Sequence, residues 1–176
     1  METKDRLGGE TIKNPVANTK GLSMVEKASQ VGLLFCVNSQ NDLQPVVDFV
    51  EAIGDEMDGV SALLLFLGKS TPALDHPKIF WVDKNDYKLF GQKKDRLKDW
   101  LQMHSFDLFI SFVQSDEKKC NQLLEEMQAR LKIGPPPSHG SQLVDLSVAV
   151  PGGKMDYAAF YEQIKFYLNQ LKINIQ

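Results

Sequence analysis

The chain has 176 residues, 43% of them apolar and 24% charged, with a formal net charge of −3. That length suits one domain with an ordinary core, and the slight acidic excess excludes a general electrostatic pull toward nucleic acid. No stretch approaches the roughly 20 apolar residues that span a bilayer. The N-terminus lacks the apolar segment of a secretory signal. The two cysteines, Cys36 and Cys120, form no CxxC motif, so the expectation is a cytoplasmic protein with two separate free thiols.

Residues 1–28 are polar and irregular, with Gly8-Gly9, Asn14-Pro15 and Gly21. They read as a loosely ordered N-terminal arm. Five basic residues there face four acidic ones, too even a balance for strong attraction to a membrane surface. Residues 29–176 then read as a single α/β domain. Gln30–Val37 is a nearly continuous apolar run, as in a strand buried on both faces. Asn38–Asp42 is turn and N-cap chemistry. Pro45 suits a first helical turn, and Val46, Val47, Phe49, Val50 and Ile53 recur at helical spacing.

Val60–Leu67 is a second buried strand, closed by Gly68-Lys69-Ser70-Thr71-Pro72, and Ile79–Val82 is a third. A polar connection with Tyr87, Phe90 and Gly91 leads to a helix over Asp95–His104. Phe106–Val113 is a fourth strand, Ser115–Leu131 a long amphipathic helix, Leu143–Val150 a last strand and Met155–Leu171 a closing helix. Strands alternating with helices imply right-handed crossovers and a parallel sheet covered on both faces. The expected fold is a Rossmann-like three-layer α/β/α sandwich with a mostly parallel sheet of about five strands.

In such a sheet, ligands sit outside the carboxyl ends of the strands. Asn38, Ser39 and Asp42 follow the first strand, Ser115 follows the fourth, and Lys154 follows the last. Together they are the candidate lining of a ligand crevice. Capping is the better reading of the first group, because no GxGxxG is present and Asp42 would repel a phosphate. Ser115 or Asp116 before Glu117 is ordinary helix-start chemistry. Pro151-Gly152-Gly153-Lys154 lacks P-loop spacing and reads as a turn needing positive φ. Trp81, Tyr87 and Phe90 are the candidate partner surface, although core packing under a long connection is the more usual role of such aromatics. His76, His104 and His139 have no ligand-spaced companions and read as surface residues. No GxSxG elbow is present, and no motif asks for a metal or a cofactor.

The order VGLLF, PVVDFVEAI, a strand ending Leu67-Gly68, the Lys84–Gly91 stretch, FDLFISF, and a helix closing on Lys132-Ile133-Gly134 resembles an uncharacterised family of small bacterial proteins, a domain-of-unknown-function group. The resemblance spans residues 30–172. It implies a fold and no established activity, cofactor or catalytic residue. Residues 106–134 are also similar to a piece of the N-terminal half of lipopolysaccharide heptosyltransferases, two-domain enzymes of the GT-B type. In that family the first loop carries Gly-Asp before a helix with a proline. Here Asn41-Asp42 and Pro45 occupy the comparable region, without the glycine and with the proline early. These departures, with no nucleotide-sugar half, argue against glycosyl transfer by this chain alone.

Two functions are therefore expected to compete. One is a non-catalytic binding or protein-interaction domain with a protein partner or a small anionic ligand. The other is a small enzyme or ligand-binding domain whose strand-end crevice takes a nucleotide or nucleotide-sugar-like ligand.

Overall fold

The structure, a computed structural model, describes residues 28–88, 91–137 and 143–171. Its elements are β1 (Val31–Val37), α1 (Leu43–Glu56), β2 (Val60–Phe66), β3 (Ile79–Val82), α2 (Asp95–Met103), β4 (Ser105–Ser111), α3 (Lys118–Glu126), β5 (Gln128–Gly134), β6 (Leu146–Ser147) and α4 (Tyr157–Leu171). The expected N-terminal arm lies outside the described residues except for Ala28, which is buried in the core. No described helix is long and apolar enough to cross a membrane.

The strands form one all-parallel sheet in the order β3-β2-β1-β4-β5-β6. Alternation along β1 shows how the apolar runs build three layers. Val31, Leu33, Phe35 and Val37 face α1 and α4, joining Val50, Ile53, Phe160 and Ile164. Leu34 and Cys36 face α2 and α3, joining Leu97, Trp100, Cys120 and Leu123. Gly32 sits on the same face, where a β-carbon would stand 2.2 Å from the Phe109 ring. The ring occupies the space that any side chain there would need.

Two boundaries depart from the sequence pattern. The helix expected over Ser115–Leu131 stops at Glu126, and Gln128–Gly134 is a sixth strand paired with β4. Gln, Ala, Arg, Leu and Lys favour helix locally, and the backbone ladder to a central strand overrides that preference. Lys132 secures the junction, its Nζ donating to the carbonyls of Leu124 (2.8 Å) and Glu125 (3.1 Å) at the C-terminus of α3. The strand expected over Leu143–Val150 shrinks to Leu146–Ser147, which has only Ile133 and Gly134 to pair with.

Candidate functional site

The strand order reverses between β1 and β4, so the carboxyl ends of these two strands border the position where ligands lie in open α/β sheets. Asn38 leaves β1 exposed. The Ser39 hydroxyl donates to Asp42 Oδ2 at 2.7 Å, and Asp42 makes no side-chain bond to the first turn of α1. The expected capping group is thus a side-chain pair that precedes the helix. Gln40 does the structural work of this turn. Its Nε2 donates to the Thr71 carbonyl (2.9 Å), and its Oε1 accepts from Ala73 N–H (3.4 Å), tying the turn to the loop after β2.

The end of β4 is held by Gln114. Its Nε2 donates to the Gly153 carbonyl at 3.1 Å, and its Oε1 accepts from Met155 N–H at 2.7 Å. Gly152 and Gly153 have φ of 66° and 74°, so this turn does require glycine. The single amide therefore clamps the turn after β6 against the switch point. Ser115 lies beside it and lines a cleft of about 40 Å³ with Ser111, Cys120 and Asn121. α3 begins later than expected, at Lys118. Its capping side chain is Glu117, accepting from Lys119 N–H at 3.4 Å, and neither Ser115 nor Asp116 is the cap residue.

On the other face, aromatic rings fill the crevice. Phe35 stacks on Phe112 with centroids 4.9 Å apart, and Tyr157 meets Phe35 edge-on at 5.1 Å. Burial, reinforced by the nearby Asp42 carboxylate, pushes the Tyr157 hydroxyl above its ordinary range. Outside these rings an open groove of about 610 Å³ runs between α1 and the start of α4. Among the described residues, Asp42, Asp48 and Asp156 line it with Lys154 as the one basic residue, alongside Phe49 and Tyr157. The structure thus divides the expected site. Asp42 and Lys154 share the groove, Ser115 lines the cleft, and Asn38 and Ser39 line neither.

Of the candidate partner residues, Trp81 and Tyr87 pack partly inward. Trp81 is half-buried and donates its indole N–H to the Leu74 carbonyl at 3.0 Å. The Arg96 guanidinium lies over the rings of Phe80 (4.6 Å) and Trp81 (5.0 Å) and grips Asp86 through Nε and Nη2, both at 3.1 Å. Tyr87 is half-buried. Its hydroxyl has no partner among the described residues, and burial raises its pKa. Phe90 lies outside the described residues.

His76 and His104 are less exposed than expected. His76 accepts from Lys78 N–H (3.2 Å) and stands 3.6 Å from Glu51, and His104 stacks on Trp100; His139 lies outside the described residues. Among the described residues no group of three His, Cys, Asp or Glu is placed to hold a metal ion. Sequence reasoning did not place the two cysteines together. Cys36 and Cys120, far apart in the chain, lie in the same core layer between the sheet and α2/α3.

The fold is similar to that of Escherichia coli heptosyltransferase WaaC, solved with ADP-2-deoxy-2-fluoro heptose, with a TM-score of 0.50 and 11% identity over 84% of this chain. The chain spans about half, 50%, of that enzyme's length. No curated protein matches the chain. The model of a family of unknown function, DUF6913, matches residues 4–171, and the chain belongs to that family.

Proposed function

We propose that this protein is a non-catalytic binding domain that engages a protein partner. The observation that carries this is the Gln114 clamp, by which the chain's own turn occupies the strand-end position. The cleft left beside Ser115, about 40 Å³, suits a few waters, whereas small-molecule pockets run to about 300–1,000 Å³. The open groove between α1 and α4 is the larger surface. Its three carboxylates against one ammonium oppose the small anionic ligand that Lys154 suggests. They suit a basic segment of a partner protein, with an apolar side chain against Phe49 and Tyr157.

The second function, a small-molecule site for a nucleotide-sugar-like ligand, is favoured by the fold shared with a heptosyltransferase domain. It would require the clamped turn to open and Asn38, Ser39 and Ser115 to face one ligand. Amide chemical-shift mapping separates the two. Titration with a lysine-rich amphipathic peptide is expected to move residues 42–52 and 154–158, and D48K/D156K is expected to abolish the effect. Unmoved resonances, or a thermal shift with ADP or an ADP-sugar that maps to Asn38 and Ser115, would overturn the binding-domain proposal.

A further inference from the structure

The carboxylates of the groove between α1 and α4 meet only neutral donors. Asp42 accepts from the Ser39 hydroxyl (2.7 Å), Asp48 from the Gln44 amide (2.6 Å) and Asp156 from Ala159 N–H (2.9 Å). Among the described residues none of the three forms an ion pair. The acidic face continues beyond the groove. Asp48, Ala52 and Asp55 stand at i, i+4 and i+7 on one face of α1, and all three are exposed. The comparable row on α4, Ala158, Glu162 and Lys165, carries its own ion pair between Glu162 and Lys165. The uncompensated charge therefore runs along α1.

The backbone around the groove decides the form of its occupant. β3 and β6 are the edges of the sheet, and among the described residues no strand residue lines the groove. An extended segment would find no ladder there, and its own N–H and C=O groups would lie unpaired against apolar side chains. A helix brings those groups already paired and presents anchors at i, i+3, i+4 and i+7. Ala52 and Ala158, both small and exposed, line the groove from its two helices and leave room for such a partner.

We propose that the groove takes a basic amphipathic helix of a partner protein, laid along α1 with cations facing Asp48 and Asp55 and an apolar side chain against Phe49 and Tyr157. This rests on the binding-domain proposal above and adds the form and the footprint of the partner. Asp48 and Asp55 are separated by about 10 Å along the axis of α1, so the cations that face them recur two turns apart on the partner. Asp55 lies outside the lining of the groove. Its involvement follows from a helix that runs the length of α1, and a side chain that merely plugs the groove would not reach it.

The test titrates the full chain with a blocked peptide of about 16 residues, built from Leu, Ala and Lys with leucines at i and i+4 and lysines two turns apart. A control peptide has one central alanine replaced by proline, which breaks the helix and keeps every charge. The first peptide is expected to move the amide resonances of residues 42–55 and 154–158 and to gain helical circular dichroism on binding. The proline peptide is expected to bind about a hundredfold more weakly. Asp55→Lys places a cation in the last turn of α1, where the helix dipole favours it, so the fold is kept. It is expected to weaken the helical peptide by roughly three- to tenfold. Equal affinity of the two peptides, or of Asp55→Lys and wild type, would overturn the helix and leave the basic-segment reading standing. Binding by neither peptide would overturn both. Resonances of residues 42–55 that shift on dilution without peptide would overturn it in favour of a second copy of this chain.

Discussion

Gln114→Ala tests the contact on which the closed crevice depends. It deletes a donor to the Gly153 carbonyl and an acceptor for Met155 N–H. The amide orientation is set by its partners, since a carbonyl only accepts and a backbone N–H only donates. Each such bond contributes about 0.5–1.5 kcal/mol net. Gln114 is exposed, so water replaces part of the loss, and about 1–2 kcal/mol is expected for the pair. In a domain of this size that lowers Tm by roughly 2–8 °C. Amide hydrogen exchange gives the local readout. Met155 N–H should exchange faster in the variant, about tenfold for each 1.4 kcal/mol. Gln114→Glu separates the two bonds, because it keeps the acceptor for Met155 N–H and loses the donor to Gly153. It should preserve much of the Met155 protection while still losing stability. Equal Met155 exchange in the wild type and Gln114→Ala would refute the reasoning, since the turn would then be held by something other than this side chain.

Gly32→Ala is expected to destabilise by about 1–3 kcal/mol, since the new methyl meets Phe109 at 2.2 Å and Phe106 at 2.9 Å; a urea midpoint equal to wild type would show that the rings yield freely. Arg96→Ala leaves the Asp86 carboxylate buried without its cation. About 1–2 kcal/mol is expected after allowing for the exposure of the guanidinium, and a double-mutant cycle with Asp86→Ala should recover part of it. Additive losses would mean that the two side chains do not act as a pair. Asp107 accepts from the Ser29 hydroxyl (2.8 Å) and from the backbone N–H groups of Ser29 (3.0 Å) and Gln30 (3.2 Å), with Arg130 nearby. The Ser29 hydroxyl is the foremost cause that holds its carboxyl below the ordinary range. A depressed folded pKa contributes stability that is present above the unfolded value, about 3.9, and is lost as pH falls through the folded one. The stability gap between wild type and Asp107→Asn should therefore be flat from neutral pH to about pH 5 and close on acidification below about pH 4. A gap that widened in acid would contradict the assignment.

Where apolar residues were continuous or spaced at helical intervals, the chain declared its own elements. β3 has the bounds that its pattern predicts, and β1, β2, α1 and α2 lie within a few residues of theirs. β5 was illegible because QARLKIG carries helix-forming side chains, and its strand character comes from a ladder to β4 that local propensity cannot reveal. Ser115 and Asp116 looked like a helix cap because cap chemistry is local. The cap passed to Glu117 where α3 meets the sheet.

By itself, then, the sequence determined the layer architecture, since burial on both faces of parallel strands demands apolar runs, and it determined that the turn at Gly152-Gly153 would need glycine. Only the tertiary structure decided which turns share a space. It separated Ser115 from Asp42 and Lys154, turned Trp81 inward under Arg96, and set Gln114 across the crevice. It also set Cys36 and Cys120 in one core layer. The reason is that periodicity records which face of an element is buried, whereas the meeting of side chains from distant elements depends on strand order and register, which no local window of sequence contains.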